Sequence, residues 1–166
     1  EMSIRDRYSD IIFGDQNEWE IASGVPHIPF EALDADYEIA KEAYLEYFRK
    51  MHQLFPKCKK MLMAVRNQIA SSHHTLSGLL YDAVEDQLYT TRIYDIEPIV
   101  DPMGVGDAFI AAYIHAHQKW GDKNQYCLDF SLSASAIKNT VPGDQNLVTE
   151  EEIINNMTSS GGRIQR

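Results

Sequence analysis

Short apolar runs alternate with longer amphipathic segments along this chain. The runs YSDIIFG (8–14) and KKMLMAVR (59–66) are brief and apolar, which is typical of buried strands. The segments HTLSGLLYD (74–82) and QLYTTRIYD (87–95) are rich in β-branched and aromatic residues, and the acidic turn AVED separates them. The pattern predicts two buried strands followed by a β-hairpin.

The amphipathic segments of the first half predict two helices separated by a loop. The first helix covers residues 15–23, with Asp15 as its N-cap and Glu18 three residues later. The second helix runs from about residue 34 to residue 55, where Pro56 ends it. Its buried stripe is predicted to contain Ile39, Ala43, Leu45, Tyr47, Phe48 and Met51.

Three more helices are predicted in the last third of the chain. One runs from about residue 105 to residue 119 and ends near Gly121, and the next covers about 123–139 and is stopped by the pair Pro142-Gly143. A short last helix, TEEEIINNM, has Thr149 as its cap. This order of strands and helices predicts an α/β fold with a mixed sheet, whose ligands bind beyond the carboxyl ends of the strands.

The composition is that of an ordinary globular protein, and the net charge argues against two classes of partner. The chain has 166 residues, 44% of them hydrophobic and 24% charged, which suits one domain with a sizeable core. Its formal net charge of −10 argues against nucleic acid or an anionic membrane as a partner. No apolar run reaches about 18 residues, and the amino terminus has no signal-peptide pattern. Cys58 and Cys127 lie far apart and form no CxxC pair, so neither a metal site nor a disulfide framework is expected, and we expect a cytoplasmic protein with reduced thiols.

The segment VDPMGVGDAFIAAYIHAHQKW (100–120) places a flexible turn and a carboxylate at the start of a helix. Gly104 and Gly106 allow an anion to approach the unpaired backbone N–H groups of the first helical turn. Asp107 is then a catalytic base for a hydroxyl held beside that anion. The alternative is a tight turn with Asp107 as a plain helix cap, and the spacing alone leaves both interpretations open.

Two separated motifs resemble those of the ribokinase-like (PfkB) carbohydrate kinases. VDPMGVGDAFIAAYI is similar to their carboxyl-terminal signature, whose positions are occupied here by Asp101, Gly104, Gly106, Asp107, Ala108 and Phe109. SASAIKNTVPGDQNLVTEEEI (133–153) is similar to the 2-dehydro-3-deoxygluconate kinases of this family. YSDIIFGDQNEWEIASG (8–24) and MAVRNQIASSHHTLSGLLYD (63–82) extend the resemblance, the second to a strand, a nucleotide loop and a further strand.

The resemblance implies an α/β, ribokinase-like three-layer fold, with a mixed, mostly parallel sheet and helices on both faces. It covers about residues 8–153, and the amino-terminal half of such kinases, with most of the sugar site, has no counterpart in it. We therefore expect the carboxyl-terminal part of such a kinase. Residues 1–157 would form its nucleotide-binding and catalytic part, and residues 158–166 a flexible tail.

The resemblance also implies an activity, the ATP-dependent transfer of a phosphoryl group to a hydroxyl of a sugar acid. The expected acceptor is 2-dehydro-3-deoxy-D-gluconate, which would give its 6-phosphate. Asp107 would accept the hydroxyl proton, and the N–H groups of Gly104, Val105 and Gly106 would form an anion hole. Two alternatives stay open: a related kinase for fructose, ribose or a nucleoside, and an inactive nucleotide-binding fragment. Assembly into a homo-oligomer is also compatible with the resemblance.

Two ion sites follow from the same resemblance. Glu18 keeps the position that is tied to the Mg²⁺ and phosphate region, whereas Asp15 replaces an asparagine. Asp101, with the carbonyls near Val141 and Gly143, matches a monovalent cation site that would hold K⁺. The alternative for Asp101 is a solvated turn residue.

The nucleotide residues are expected on two segments. Ser131 falls where relatives face the adenine base, although a serine there is more often a packing residue. Asn139, Arg66 and Asn67 are further nucleotide-binding candidates, and each is equally suited to capping or decorating a loop.

Overall fold

The computed structural model describes residues 8–29 and 37–159. Its elements in chain order are β1 (Ile11–Gly14), α1 (Gln16–Ser23), α2 (Lys41–Leu54), β2 (Lys60–Ala70), β3 (His73–Asp82), β4 (Gln87–Thr90), β5 (Tyr94–Ile96), α3 (Val105–Trp120), α4 (Asn124–Lys138) and α5 (Glu150–Thr158). The predicted tail at 158–166 lies mostly outside the described residues. No helix in the described ranges has the length and apolar character needed to cross a membrane.

The five strands form one mixed sheet in the order β1-β2-β3-β4, and β5 also pairs with β3. The mixed sheet is confirmed. Among the described strands, however, only β1 and β2 pair in parallel, so this part of the sheet is mostly antiparallel rather than mostly parallel. The reason is local, because short turns join β2 to β3 and β3 to β4, and a short turn can only connect antiparallel neighbours.

Helices cover both faces of the sheet, so the three-layer arrangement is confirmed. Alternate residues of β2 point to opposite faces: Met61, Met63 and Val65 pack with α1 and α2, whereas Leu62 packs with α3, α4 and α5. The first face carries an aromatic cluster with Trp19, Phe48 and Tyr81, and the second a larger cluster in which α3 packs along α4. Each side of the sheet therefore has its own hydrophobic core.

The second predicted helix begins later than its sequence pattern indicates. Residues 30–36 lie outside the described part of the chain, residues 37–40 are not helical, and α2 begins at Lys41. Its buried residues are Tyr44, Tyr47, Phe48 and Met51. Ala43, expected in the buried stripe, is exposed, whereas Tyr44, which is three residues before Tyr47 and four before Phe48, is buried with both.

The predicted strand 87–95 is divided into β4 and β5. Leu79 pairs with Thr90 and Leu76 with Tyr94, so the second strand has one residue more than β3 over this stretch. Thr91 lies in the irregular part and binds Gly78 twice, donating its N–H to the Gly78 carbonyl and accepting the Gly78 N–H at Oγ1. These two bonds replace the regular ladder at this point.

The topology brings three strand ends to one edge of the sheet. β1 is parallel to β2, and β5 is antiparallel to β3, which is itself antiparallel to β2, so β1, β2 and β5 run in the same direction. Helix α1 begins directly after β1, and the segment 97–104 follows β5. The N–H of Ile99 donates to Ser72 in the β2–β3 turn, which holds this segment at that edge. The glycine turn therefore lies beyond the carboxyl ends of these strands, where ligands are predicted to bind.

Candidate functional site

Helix α3 begins with a glycine turn whose N–H groups receive no side-chain cap. Gly104 is the N-cap residue, in the left-handed region with φ 72°, and no side chain in the described structure caps it. Asp107 lies inside the first turn and is not the capping residue. The plain-cap alternative for Asp107 is therefore wrong. The first N–H groups of an α-helix have no partner within the helix, so this turn is able to bind an anion.

Asp107 lies at a groove between α3, α4 and the loop before α5. The Asp107 side chain is exposed, and the groove that it lines has a volume of about 390 Å³. Small and apolar side chains such as Ala111, Ala134 and Phe130 form much of its wall, and Asp144 adds a further polar group. An exposed carboxylate, an anion-binding turn and a partly apolar groove thus lie side by side.

The loop that contains Asp101 and the loop that contains Gly143 are hydrogen-bonded to each other next to the glycine turn. Asp101 accepts the N–H of Met103 at Oδ1 and the N–H of Gly143 at Oδ2, both at 2.9 Å. These two hydrogen bonds, helped by the charge of Lys138, lower the pKa of Asp101 below its usual value. Gly104 packs so closely on the Asp144 carbonyl oxygen that an added Cβ would lie 2.5 Å from it. The family resemblance placed both residues at a monovalent cation site, and in the structure the Gly143 N–H binds Asp101 directly.

The carboxyl end of α4 supports the same turn. The carbonyl of Asn139 accepts the N–H groups of Val100 and Asp101, at 2.8 and 3.2 Å. Ser135 donates its hydroxyl to the Val105 carbonyl at 3.0 Å. Lys138, which sequence reasoning did not select, is completely buried and donates from Nζ to the Val141 carbonyl at 3.1 Å. The sequence signal that could have identified Lys138 is that it is the one charged residue in the stretch FSLSASAIKN.

Two predicted nucleotide residues have structural partners in the core. Ser131 is fully buried and donates to the Cys127 carbonyl one turn earlier, so its hydroxyl does not reach the groove. Its neighbour Phe130 and the later Ala134 line the groove instead. Asn139 is also buried and donates from Nδ2 to the Ser135 carbonyl. Its contacts hold the loop and leave no exposed amide for a base.

Arg66 and Asn67 lie within β2 and not in a loop, because β2 continues to Ala70. They point to opposite faces of the sheet, Arg66 exposed and Asn67 buried. Arg66 lines a second, polar cleft of about 300 Å³ together with Asp15, Gln16 and other residues at the start of α1. Of this pair, Arg66 is therefore the residue within reach of a ligand.

Glu18 forms a capping box with Asp15 at the start of α1. The Glu18 carboxylate accepts the Asp15 N–H at 2.9 Å, and the Asp15 carboxylate accepts the Glu18 N–H at 2.8 Å. Within the described residues, no group of three or more His, Cys, Asp or Glu side chains could hold a metal alone. Mg²⁺ usually binds through one or two carboxylates together with the phosphates of a nucleotide, and the exposed Glu18 fits that mode through its second oxygen.

Comparison with known proteins gives matches to solved structures alone. No protein-family model matches the sequence, and no curated protein matches it. A 2-dehydro-3-deoxygluconokinase from Thermotoga maritima is 25% identical over 93% of this chain, with a TM-score of 0.78. A PfkB family carbohydrate kinase from Listeria grayi is 23% identical with a TM-score of 0.74, again over 93% of this chain. The ribokinase of Arabidopsis thaliana, solved with ribose and ATP, is 21% identical over 91% of this chain, with a TM-score of 0.66.

The chain spans 43%, 42% and 41% of the lengths of these three kinases. The kinases that match in structure have the fold that the sequence motifs implied. The chain therefore has the ribokinase-like fold and is similar to less than half of the length of a PfkB-family carbohydrate kinase.

Proposed function

We propose that this chain carries the phosphoryl-transfer site of an ATP-dependent sugar kinase whose acceptor is 2-dehydro-3-deoxy-D-gluconate. The observation that carries the proposal is the exposed Asp107 in the first turn of α3, directly after the uncapped glycine turn. The 25% identity to the Thermotoga maritima 2-dehydro-3-deoxygluconokinase supports the choice of acceptor. The product would be the 6-phosphate of the sugar acid.

In the proposed reaction, Asp107 accepts the proton of the acceptor hydroxyl as its oxygen attacks the γ-phosphorus of ATP. The N–H groups of Gly104, Val105 and Gly106 donate to the oxygens of the transferring phosphoryl group, where negative charge accumulates. The bond from the γ-phosphorus to the bridging oxygen breaks, and ADP leaves with that oxygen. The turn is held rigid by Asp101 and by the Asp144 carbonyl, so its N–H groups need little rearrangement.

The groove beside Asp107 is the proposed site for the nucleoside part of ATP. Its partly apolar wall, with Phe130 among small residues, suits a planar base. The Arabidopsis ribokinase with the same fold was solved with ATP. Mg²⁺, when bound with the nucleotide, would neutralise phosphate charge, and Glu18 is the residue proposed to contact it.

The substitution Asp107→Asn tests the base. We expect turnover to fall by about a hundred- to ten-thousand-fold while ATP still binds, because the amide keeps the shape but accepts no proton. Glu151→Gln is the matched control, since Glu151 is also an exposed carboxylate in the first turn of a helix. Steady-state kinetics and calorimetric titration with ATP measure the two effects. Unchanged turnover in Asp107→Asn would show that Asp107 is not the catalytic base.

A panel of acceptors tests the substrate. The kinase that contains this chain should phosphorylate 2-dehydro-3-deoxy-D-gluconate with a higher kcat/KM than fructose, ribose or a nucleoside. A preference for ribose would instead match the ribokinase similarity. ATP binding without transfer to any acceptor would favour the inactive nucleotide-binding alternative.

A further inference from the structure

The structure brings together the three residues that were expected to hold K⁺. Gly143 donates its N–H to Asp101, and Val141 lies two residues before Gly143 in the same loop. This small region lies directly under the glycine turn, because Asp101 also binds Met103 and the Asp144 carbonyl contacts Gly104. A positive charge here would act on an anion held by the turn.

A protein cation already occupies this region. The Lys138 side chain has no solvent exposure, and its Nζ donates to the carbonyl of Val141 at 3.1 Å. That carbonyl is one of the oxygens expected to bind K⁺. A buried ammonium needs oxygen acceptors and a nearby negative charge, since burial without them is costly.

Asp101 supplies the negative charge. Its two oxygens accept backbone N–H groups, which hold the carboxylate in one orientation. The charge of Lys138 contributes to the lowered pKa of Asp101, after the two backbone hydrogen bonds, which agrees with their proximity. A K⁺ ion added to this region would be repelled by the Lys138 ammonium and would compete with it for the Val141 carbonyl.

We propose that the Lys138 ammonium takes the place of the monovalent cation, so that this chain neither binds nor requires K⁺ between Asp101, Val141 and Gly143. Lys138 is a positioning residue, because it is fully buried and acts through the loop and through its charge. The residues therefore do not fit the K⁺ site that the family resemblance implied. The effect on phosphoryl transfer rests on the proposed function, whereas the ion preference of the region does not.

Ion binding by the unmodified full chain tests the proposal without any activity measurement. Thermal unfolding is compared in potassium chloride and in tetramethylammonium chloride at equal ionic strength. Crystals soaked in thallium(I) acetate are examined by anomalous scattering, because Tl⁺ substitutes for K⁺. We expect the same Tm in both salts, within about 1 °C, and no thallium between Asp101 and Val141. A thallium peak on those two residues would overturn the proposal.

The substitution Lys138→Ser provides the second arm. It removes the ammonium and leaves space for an ion, so K⁺ or NH₄⁺ at about a hundred times its Kd should raise the Tm of this variant by about 5 °C. Tetramethylammonium is too large to enter this space, so it should not raise the Tm of the variant. Lys123→Ser, which removes an exposed lysine just before α4, is the control and should show no ion-specific rise.

A folded Lys138→Ser variant with no response to K⁺ or NH₄⁺ would also overturn the proposal. If that variant does not fold, the two measurements on the unmodified chain decide the question. If no acceptor is phosphorylated in any salt, the proposed function fails, and the thallium and Tm results still support or overturn the replacement of K⁺ by Lys138.

Discussion

The two glycines of the turn before α3 differ in what surrounds them. Gly104 has a φ of 72°, which side chains with a Cβ rarely adopt, and its missing Cβ would lie 2.5 Å from the Asp144 carbonyl oxygen. Gly106 has no neighbour within 4 Å of the corresponding position. Gly104 is therefore needed for loop packing, whereas Gly106 leaves open space over the N–H groups where a ligand is proposed to bind.

The substitution Gly104→Ala should destabilise the chain more than the same substitution at a left-handed glycine that has no close neighbours. Gly24 is the matched control, since its φ is 73° and no atom lies within 4 Å of an added Cβ. We expect Gly24→Ala to lower the free energy of unfolding by about 1 kcal/mol through backbone strain alone. Gly104→Ala should lose about 2 kcal/mol or more, because the backbone of Asp144 must also move. Urea denaturation measures both, and equal losses would contradict the close contact.

At the residue scale, the sequence predicted the glycine turn better than it predicted the nucleotide contacts. Two glycines and an aspartate before an apolar run mark a helix start, and α3 begins where the pattern indicates. Ser131 was placed incorrectly because α4 is buried on nearly every side, from Cys127 through Asn139 except for Asp129. Because the polar residues of α4 are buried together with the apolar ones, the polar positions in its sequence do not indicate which side faces a groove.

At the scale of elements, a side-chain contact of the β3–β4 turn links the hairpin to helix α2. Asp86 ends the β3–β4 turn in the left-handed region, with a φ of 51°. Its carboxylate accepts from Arg49 Nε of α2 at 2.9 Å and from the Tyr81 hydroxyl at 2.8 Å. The hydrogen bonds from Arg49 and Tyr81 lower the pKa of Asp86 to about 2. This interaction fixes the turn against the helix across the surface of the first core.

The Asp86 interaction predicts a pH-dependent stability. Because the folded-state pKa is below the usual value of 3.8, the stabilisation is complete above pH 3.8 and is lost as the pH falls toward about 2. Asp86→Asn should therefore be less stable than the unmodified chain at pH 6, with the difference vanishing near pH 2. Asparagine also tolerates a positive φ, so backbone strain is matched. Urea denaturation at several pH values measures the difference.

Tyr81→Phe is the control for this pH dependence. It removes one hydrogen bond to Asp86, so the remaining depression of the pKa is smaller; the loss of stability should still begin near pH 3.8, but it should be smaller in total and complete at a higher pH. A difference between Asp86→Asn and the unmodified chain that stays constant from pH 6 to pH 2 would contradict the assigned interaction.

The elements that the sequence predicted well are those with local signals at their ends. The caps Asp15 and Thr149 both form capping boxes in the structure, and α1 and α5 begin directly after them. Helix α2 has no such signal, since Ala40 caps it without a side-chain hydrogen bond, and its start was predicted too early. The break between β4 and β5 depends on Thr91 meeting Gly78 across the sheet, a tertiary contact that no periodicity reveals.

At the scale of the whole molecule, the described residues form the groove beside Asp107, although the chain spans less than half of the length of its structural relatives. Every described residue that lines the groove comes from between Gly104 and Ile153, on α3, α4, α5 and their loops. These elements pack on one face of the sheet and share one core. The proposed nucleotide binding can therefore be tested directly on this chain, whereas the proposed choice of acceptor has to be tested on a protein of the full length of the relatives.

The substitution Ala111→Trp tests whether the groove binds the nucleotide. Ala111 is an exposed residue of α3 that lines the groove, so an indole ring there should fill the space proposed for the base without disturbing the core. Mg²⁺-ATP at about a hundred times its Kd should stabilise the unmodified chain by about 2.7 kcal/mol, which corresponds to a rise in Tm of about 5 °C or more. Ala111→Trp should keep its own Tm without ligand but lose this rise. Ala43→Trp, at an exposed alanine in the first turn of α2, should retain it. Equal stabilisation of both variants by Mg²⁺-ATP, measured by differential scanning fluorimetry, would place the nucleotide elsewhere on the molecule.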